Sequence, residues 1–309
     1  MTVTNRAAII GVFDGVHRGH QAVIAQARAL AGDDEVIAIT FDPHPRRVLD
    51  PESAPVMLTT LDERVDALKD AGVDEVLVVN FTEALSQITP REFVEEFIVR
   101  RAAAGHVVVG ENFRFGRGAS GDISTLRALG HELGFAVHTL ELRGDGVRFS
   151  SSRARSALVD GDLAHVAFVL GRPFTYRGEV VHGDHRGRQL GVPTANLVVA
   201  PDRAAPADGV YAGWVRVLDD PRDLHVRMPA AISVGDNPQY GGAERRIEAH
   251  VIDRDDLDLY ERAIEVGFTH RLRGQEVFAS EAAFIEQMQA DIAAARTHHI
   301  GAVRAPEST

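Results

Sequence analysis

The sequence predicts an α/β domain with a parallel sheet, followed by an all-β domain that ends in a helix. The chain has 309 residues, which suits two domains of about 150 residues each. Strand-like and helix-like patterns alternate through the first half, as in parallel sheets covered by helices on both faces. The second half carries short strand-like runs separated by Gly, Pro, Asp and Asn, which is typical of an antiparallel barrel or sandwich. We therefore predict domains at residues 1–160 and 161–309.

The elements of the first half follow from apolar runs and helix-start signals. Residues 7–10 form an apolar run that indicates a buried strand, and Pro90 suits the first turn of a helix. Thr59 or Thr60 is the expected cap of another helix. The predicted strands are 7–10, 35–41, 75–81, 106–109 and 136–142, and the predicted helices are 21–31, 61–71, 90–104 and 123–133. Ligands of parallel sheets bind at the carboxyl ends of the strands, so the loops after these strands are candidate sites.

In the second half, predicted strands follow one another without helices between them. Its predicted strands are 177–182, 209–218, 229–234 and 246–252, and its terminal helix is predicted at 281–295. The turn residues between these strands indicate antiparallel neighbours rather than helical crossovers. The sequence shows no internal repeat, so we expect one all-β domain there.

Composition and charge restrict the classes of function. Basic residues number 33 and acidic residues 45, a formal charge of −12, which disfavours nucleic acid and anionic membranes as partners. The absence of cysteine excludes disulfides, thiolate metal sites and thiol catalysis. No apolar stretch approaches the ~18 residues that a membrane span needs, and the N-terminus does not resemble a signal peptide. We expect a cytoplasmic protein that acts on small molecules without an obligate protein partner.

Residues 11–20, GVFDGVHRGH, join the first predicted strand to the first helix. Backbone N–H groups at such a helix start attract phosphate, and Gly19 allows the backbone to approach a ligand closely. His17 and His20 are three residues apart, so both can face one side of the first helical turn. Their imidazoles could donate hydrogen bonds to phosphate oxygens as charge develops in a transition state. The alternative is a turn with two surface histidines, which the glycines and the strand–helix position disfavour.

Further polar groups in the first half follow strand ends or open a helix. His44 lies in a proline-stiffened loop along which a nucleotide could lie. Asn112 follows a later strand and could read a base or bind a phosphate oxygen. Ser151, Ser152 and Arg155 open a predicted helix and form a second candidate anion site. Each segment alone could also be a structured loop or a serine helix cap.

A second glycine motif suggests a different class of protein. Residues 116–121, GRGASG, spell G-x-G-x-x-G, with a helix, a strand and Glu141 after them, as in dinucleotide-binding folds. Residues 111–115 separate this motif from the preceding strand, where a tight turn is required, and the unit is not the first of the sheet. We therefore prefer the phosphate site at 11–20. A dehydrogenase would instead bind nicotinamide and consume no ATP.

The second half contains a glycine- and arginine-rich loop, residues 183–191, followed by a Pro-Thr-Ala-Asn segment. Such a loop can cradle phosphates. The Thr194 hydroxyl and the Asn196 carbonyl are hard oxygen ligands of the kind that Mg²⁺ takes beside phosphates. Glu248 lies on the polar face of an alternating strand, where it could act as a general base. The alternatives are a polar turn and a solvated glutamate.

Together these motifs resemble the bifunctional riboflavin kinase/FAD synthetase family of bacteria over roughly residues 6–295. The adenylyltransferase motifs are matched at 11–20, 41–45, 110–116 and 150–155, and the flavokinase signature at 181–197. The resemblance implies a Rossmann-like nucleotidyltransferase parallel sheet followed by a six-stranded antiparallel β-barrel with a terminal helix. It implies that the second domain phosphorylates riboflavin to FMN with ATP. The first domain would adenylylate FMN to FAD and release pyrophosphate.

The resemblance also implies roles for single residues. His17 and His20 would stabilise the transferring phosphates, and Glu248 would be the base of the kinase reaction. Thr194 and Asn196 would hold Mg²⁺ with the nucleotide. The implied ATP and phosphate contacts are Gly11, Phe13, Asp14, Gly19, His44, Asn112, Ser151, Ser152, Arg155, Gly183, Gly187 and Arg188. Riboflavin and FMN would be substrates, not prosthetic groups.

Some positions depart from the family pattern. Ser152 stands where threonine is usual, Ala154 where isoleucine is usual, and Gln239 where threonine is usual, while Asp236 adds negative charge near a predicted anion site. The lost methyl and apolar volume could weaken adenylyl transfer. One alternative is therefore a monofunctional flavokinase, or a paralogue for a modified flavin, with a weakened adenylyltransferase half. Another is a flavin-nucleotide-binding regulator without turnover, which would have no need of a base such as Glu248.

Overall fold

The computed structural model describes residues 5–140, 143–144, 146–182, 192–220, 226–236, 244–254 and 256–303. The chain divides into two compact units, Met1–Ser151 and Ser152–Thr309. The division falls at the start of a helix, Ser151–Asp160, that ends where the sequence predicts the domain boundary. Among the described residues, no helix combines the length and apolar character needed to cross a bilayer.

The first unit is built on a parallel sheet whose described strands run in the order β3-β2-β1-β4-β5. These strands are β1 (Ala7–Ile10), β2 (Val36–Asp42), β3 (Glu75–Asn80), β4 (His106–Gly110) and β5 (Ala136–Leu140). Each neighbouring pair is parallel and in regular register. The carboxyl ends of β2, β1 and β4 therefore meet side by side at one edge, where loops can converge on a ligand. The α/β prediction is confirmed.

Helices cover both faces of this sheet. They are α1 (Arg18–Ala31), α2 (Pro45–Leu49), α3 (Leu61–Asp70), α4 (Glu83–Ser86), α5 (Pro90–Phe93) and α6 (Ile123–Leu133). On one face Ile9 packs with Val23 and Ile24 of α1. On the other, Ile10 packs with Phe97, from the wider helical turns that continue α5 over Val94–Arg101. These two apolar layers fix the sheet between the helices, because each face is buried on folding.

A short hairpin closes the first unit, and two helices open the second. The hairpin pairs β6 (Arg143–Gly144) with β7 (Val147–Arg148), and the helices are α7 (Ser151–Asp160) and α8 (Leu163–Leu170). Asp162 caps α8 by accepting a hydrogen bond from the backbone of His165. A left-handed Gly171 ends the same helix, and a strand then begins at Phe174.

The second unit is an antiparallel barrel with the strand order β8-β13-β10-β11-β12-β9 among the described residues. Its strands are β8 (Phe174–Glu179), β9 (Ala195–Val198), β10 (Gly209–Val217), β11 (Met228–Gly235), β12 (Arg246–Val251) and β13 (Ala263–Arg273). Tyr176 of β8 donates its hydroxyl hydrogen to the Val198 carbonyl of β9 at 3.2 Å, which brings the two outer strands together. The predicted six-stranded barrel is confirmed.

Some predicted bounds were wrong. β8 begins and ends earlier than the predicted run 177–182, and β13 and β9 were not predicted as strands. The buried residues of β13 are consecutive, 264–268, and the charged or polar side chains of Glu265, His270 and Arg271 obscure this strand in the sequence. β9 begins within the Pro-Thr-Ala-Asn segment, at Ala195, and the sequence marks that segment only as a ligand loop.

The terminal helix α9 (Glu281–Val303) extends past the predicted end at residue 295 and packs on the outer face of β10 and β11. Ala295 is buried there with Ala212 and Ala231, whose small side chains let the helix approach the sheet closely. Arg273 of β13 and Asp291 of α9 form a largely buried ion pair at 2.7 Å, which fixes the helix along the strand. The prediction of a terminal helix is confirmed.

Candidate functional sites

The loop after β1 has an unusual backbone conformation. Phe13, Gly15 and Val16 have positive φ angles of 54°, 77° and 40°. This region suits glycine but is strained for a β-branched residue such as Val16. Strain of this kind costs about 1–3 kcal/mol per residue and persists only where surrounding contacts hold it. The loop that carries the predicted phosphate-binding motif is therefore held in one particular shape.

Asp14 makes several of the contacts that keep this loop in its shape. Its side chain is 3% exposed, and its Oδ1 accepts hydrogen bonds from the backbone N–H groups of Leu58 and Thr59 at 2.9 and 3.1 Å. The Thr59 hydroxyl also donates to this oxygen at 3.2 Å and accepts from the N–H of Gly15 at 3.2 Å. Asp14 thus braces the loop from inside, and its contact with phosphate stays a prediction.

His17 and His20 lie together at the start of α1, as the sequence predicts. Nδ1 of His17 caps the helix by accepting from the backbone N–H of His20 at 3.3 Å, and the two rings stack with centroids 3.6 Å apart. Gly19 stands where a Cβ would lie 3.0 Å from the His17 ring. Its lack of a side chain therefore permits the stack.

His20 has the electrostatics of a neutral imidazole. Burial, and to a lesser degree the charge of His17, hold the pKa of His20 well below its usual value. Its Nδ1 is buried and has no hydrogen-bond partner among the described residues. The edge of the Phe13 ring packs against this imidazole with centroids 5.1 Å apart. His20 therefore has an uncharged ring whose buried Nδ1 has no hydrogen-bond partner among the described residues.

The other predicted residues of the first unit occupy the same edge of the sheet. His44 follows β2 and caps α2, its Nδ1 accepting from the N–H of Arg46 at 3.0 Å. Asn112 follows β4, and its side-chain oxygen accepts from Arg148. Ser151 donates its hydroxyl hydrogen to the backbone carbonyl of Asp14 at 2.8 Å. Ser151 thus contacts the 11–20 loop directly, while His44 and Asn112 follow the two strands that flank β1.

Ser152 and Arg155 lie within the first five residues of α7, where Arg155 donates to the Ser152 hydroxyl at 3.3 Å. Ala154, one of the departures from the family pattern, is fully buried at 0% exposure. No contact in this helix tests whether Ser152 and Arg155 bind phosphate, so that role stays a prediction.

The G-x-G-x-x-G segment has a packing role instead. A Cβ on Gly116 would lie 2.8 Å from Pro90, and one on Gly121 would lie 2.9 Å from the Phe115 ring. Both glycines therefore allow close packing, which explains their presence without a dinucleotide. The segment also follows β4 only after several loop residues, unlike the tight turn of a dinucleotide site.

In the second unit, strand register brings the predicted kinase residues together. Glu248 of β12 pairs with Asn196 of β9 on one side and with Ser233 of β11 on the other. Directly paired residues project from the same face of a sheet. The next pair, Ile247 and Leu197, is fully buried and faces the barrel interior. Asn196, Glu248 and Ser233 therefore form a row across the outer face.

Thr194 is held at the end of that row. The side-chain NH₂ of Asn196 donates to the Thr194 carbonyl at 3.2 Å and to its hydroxyl at 3.3 Å. His250, on the same face of β12 as Glu248, lies 2.9 Å from the Pro193 carbonyl and hydrogen-bonds to it through Nδ1. These contacts fix the Pro-Thr-Ala-Asn segment on the barrel.

The donor set of this site fits Mg²⁺ bound together with a nucleotide. Since the Asn196 nitrogen is directed to Thr194, its carbonyl oxygen is the atom left to bind a cation, beside the Thr194 hydroxyl. Within the described ranges, no group of three or more His, Cys, Asp or Glu side chains could hold a metal by itself. Two neutral oxygens suit an ion that takes its other ligands from phosphates and water.

Gly183, Gly187 and Arg188, and the departure Gln239, lie outside the described residues. Asp236 follows the end of β11 and is exposed. Nothing in the structure explains its departure from the family pattern.

Sequence reasoning missed several residues of these sites. Thr59 was considered only as a helix cap, but Thr60 is the cap and Thr59 braces Asp14. Arg64 is fully buried next to the 11–20 loop, and its place on the apolar face of α3 was the available signal. Ser233 and His250 join the second site through strand register, which the sequence pattern alone does not fix.

Comparisons with known proteins agree with this division. The FAD synthetase family matches residues 2–153, and the riboflavin kinase family matches residues 170–299. The bifunctional riboflavin kinase/FMN adenylyltransferase of Escherichia coli K12 is 36% identical over 92% of this chain and 88% of its own length. That of Pseudomonas fluorescens is 39% identical over 94% and 91%.

A solved structure of similar extent shares the whole fold. It is the crystal structure described as a macrolide-efflux protein from Streptococcus pneumoniae, 30% identical, with a TM-score of 0.83 over 96% of this chain and 95% of that one. Both halves of the sequence match their families in the same order as the two structural units. The chain belongs to the bifunctional riboflavin kinase/FMN adenylyltransferase family.

Proposed function

We propose that this chain makes FAD from riboflavin in two ATP-dependent steps. The second unit phosphorylates riboflavin to FMN, and the first unit transfers AMP from a second ATP to FMN and releases pyrophosphate. One observation carries the proposal: His17 and His20 stack at the edge of the parallel sheet, and Asn196 and Glu248 are directly paired on the barrel.

The row on the barrel supports phosphoryl transfer. Glu248 takes the proton of the ribityl 5′-hydroxyl as that oxygen attacks the γ-phosphorus of ATP. The bond from the γ-phosphorus to its bridging oxygen breaks, and ADP leaves. Asn196 of the neighbouring strand and Thr194 just before that strand would hold the metal–nucleotide, so the row would orient the two reactants. Mg²⁺, when bound with ATP, supplies charge neutralisation on the phosphates.

The stacked histidines support adenylyl transfer. A phosphate oxygen of FMN attacks the α-phosphorus of ATP, and the bond from that phosphorus to the leaving pyrophosphate breaks. Because His20 is neutral, it can donate one N–H to a phosphate oxygen on which charge develops. His17 fixes the orientation of His20 through the ring stack and the helix cap. No covalent intermediate with the protein is needed.

Other residues complete the proposal as predictions. Gly11, Phe13 and Asp14 shape the loop around the triphosphate, and His44 and Asn112 lie along the nucleotide. Ser151, Ser152 and Arg155 bind the triphosphate from the start of α7. In the second unit, Gly183, Gly187 and Arg188 bind the ATP phosphates. We also propose a cytoplasmic location, because a chain without cysteine suits a reducing compartment.

Two parallel incubations with ATP and Mg²⁺ test the proposal, one with riboflavin and one with FMN, followed by chromatography. FMN and then FAD should form from riboflavin, and FAD should form from FMN. A third incubation with chelator should give neither product. Turnover in chelator would contradict the metal assignment, and the absence of product from both flavins would contradict the function.

The second candidate is a kinase with a weak first unit. The departure at Ala154 motivates it, because that position is fully buried and its side chain therefore takes part in the packing of α7. Its signature would be FMN from riboflavin, with supplied FMN left unchanged. In that case Ala154→Ile should restore FAD formation.

A further inference from the structure

Arg64 is a buried charged residue beside the loops of the first site. It lies on α3 with 1% exposure, among the largest fully buried side chains of the described chain. Burying a guanidinium is costly unless hydrogen bonds compensate for its lost water. Leu61 and Leu68, three residues before it and four after it, share its helix face, so the sequence places an arginine in an otherwise apolar stripe.

The contacts of Arg64 join the ends of two neighbouring strands. Nη1 donates to the backbone carbonyl of Val12 at 3.2 Å, in the loop after β1. Nη2 donates to the carbonyl of Phe41 and to Oδ1 of Asp42, both at 3.2 Å, at the end of β2. One planar side chain thus fixes the carboxyl ends of β1 and β2 relative to each other, as the fork of donors in arginine allows.

Both ends lead directly into predicted nucleotide contacts. Val12 precedes Phe13, the first residue of the strained turn that ends at His17. The Val12 carbonyl also accepts from the Thr40 hydroxyl at 3.1 Å, so two donors fix its direction. Asp42 lies two residues before His44. Arg64 therefore fixes where two loops begin. One is the 11–20 loop, called the histidine loop below, and the other is the segment that follows β2 and contains His44, called the His44 loop.

We propose that Arg64 is a positioning residue for adenylyl transfer, holding the histidine loop and the His44 loop in one fixed arrangement around ATP. The inference rests on the proposed function of the first unit. Arg64 itself touches no reacting atom. Misplacement of reacting groups by about 1 Å can reduce a rate by about 100-fold, so a residue that only orients loops can have a large effect.

The experiment compares Arg64→Met and Arg64→Lys with a matched control, Arg28→Met. Arg28 also donates to backbone carbonyls, those of Gly32, Asp34 and Gly72, and to the carboxylate of Asp74. Those partners lie at the opposite end of the sheet, before β2 and β3 begin. If the loss of any arginine that bridges backbone carbonyls lowers activity, Arg28→Met and Arg64→Met should show the same loss. A loss that is specific to the first site should appear only in Arg64→Met.

For each full-length variant, kcat and KM for ATP are measured with FMN as substrate, together with riboflavin phosphorylation and a thermal unfolding curve. We expect Arg64→Met to lower kcat/KM for FAD formation about 100-fold, with riboflavin phosphorylation within about twofold of wild type. Arg64→Lys should recover part of the loss, because one ammonium cannot reach all three acceptors. Arg28→Met should keep the wild-type FAD rate per folded molecule.

A loss of Tm in Arg64→Met, with unchanged kcat and KM per folded molecule, would overturn the proposal and leave Arg64 a structural residue. If Arg64→Met does not fold, Thr40→Val decides, because it removes one of the two hydrogen bonds on the Val12 carbonyl at nearly constant volume. A severalfold loss of FAD formation with normal kinase activity would support the proposal, and an unchanged rate would overturn it. A wild-type chain that makes FMN but no FAD would overturn the function of the first unit, and this inference with it.

Discussion

The two sites of this chain are built in different ways. In the first unit, loops leave the carboxyl ends of adjacent parallel strands, and their backbone is strained and held by tertiary contacts such as Asp14 to Thr59. In the second unit, the site is a row on regular antiparallel strands, and cross-strand register aligns Asn196 with Glu248. A parallel sheet collects side chains at its edge, whereas a barrel collects them on its surface. The first site therefore depends on loop shape and the second on pairing.

The largest expected effect is on the barrel row. Glu248→Gln removes the proposed base at nearly constant volume and should lower riboflavin phosphorylation about 1,000-fold, within the range for loss of general base catalysis. FAD formation from supplied FMN should be unchanged. The matched control is Glu244→Gln, an exposed carboxylate nearby on the chain. An unchanged rate of riboflavin phosphorylation in Glu248→Gln would show that Glu248 is not the general base.

The next effect is on the stacked histidines. His20→Ala removes a neutral donor from the first site and should lower FAD formation about 100-fold, as loss of one preorganised donor typically does. Riboflavin phosphorylation should stay at the wild-type rate. His131→Ala, an exposed histidine of α6, serves as the control. Loss of both activities in His20→Ala would contradict the assignment of one reaction to each unit.

The dependence on loop shape can be tested with two adjacent threonines. Thr59→Val removes the hydroxyl that accepts from Gly15 and donates to Asp14, so FAD formation should fall severalfold. Thr60→Val removes the cap of α3 and should cost about 1 kcal/mol of stability, with little effect on the FAD rate per folded molecule. Equal effects of both variants on that rate would mean that the loop's shape does not depend on the brace.

The smallest expected effect is on stability at low pH, and it applies to both units. Burial, and then a neighbouring histidine, lower the pKa values of His20, His138 and His270. Between these lowered values and the usual pKa of about 6.5, the unfolded chain binds more protons than the folded one. The free energy of unfolding should therefore decrease as the pH falls below about 6.5.

Denaturant unfolding at pH 7.5, 6.5 and 5.5 measures this decrease. His138 lies 3.2 Å from His106, nitrogen to nitrogen, on neighbouring strands. His138→Asn should therefore make the decrease smaller. A free energy of unfolding that rises towards pH 5.5 would contradict the lowered pKa values of these histidines.

The sequence predicts the fold class, the central strands and the pairing of His17 with His20 because these depend on local patterns. The apolar run of β1, the glycines after it and the helical spacing of the two histidines all lie within fifteen residues or so. Glu248 and Asn196 were recognised by residue type, but their direct pairing depends on the register of β12 and β9. Pairings between distant segments leave no local trace in one sequence.

The roles of Thr59 and Arg64 do not follow from the sequence for a related reason. Thr59 looks like a helix cap in the sequence, and only the fold brings it to Asp14, which lies far earlier in the chain. Arg64 resembles an exposed helix residue until its place between Leu61 and Leu68 is considered. Local rules describe what a residue prefers, but they do not say which distant backbone groups need a partner.

The alternation on β12 constrains how this protein can change during evolution. Ile247 and Ala249 fill the barrel, while Glu248 and His250 face outward between them. Deleting one residue within this strand would turn the glutamate into the apolar interior and expose the isoleucine. Lineages of this chain should therefore accept insertions and deletions in the turns that flank β12 and reject them within it, even where every individual side chain is conserved.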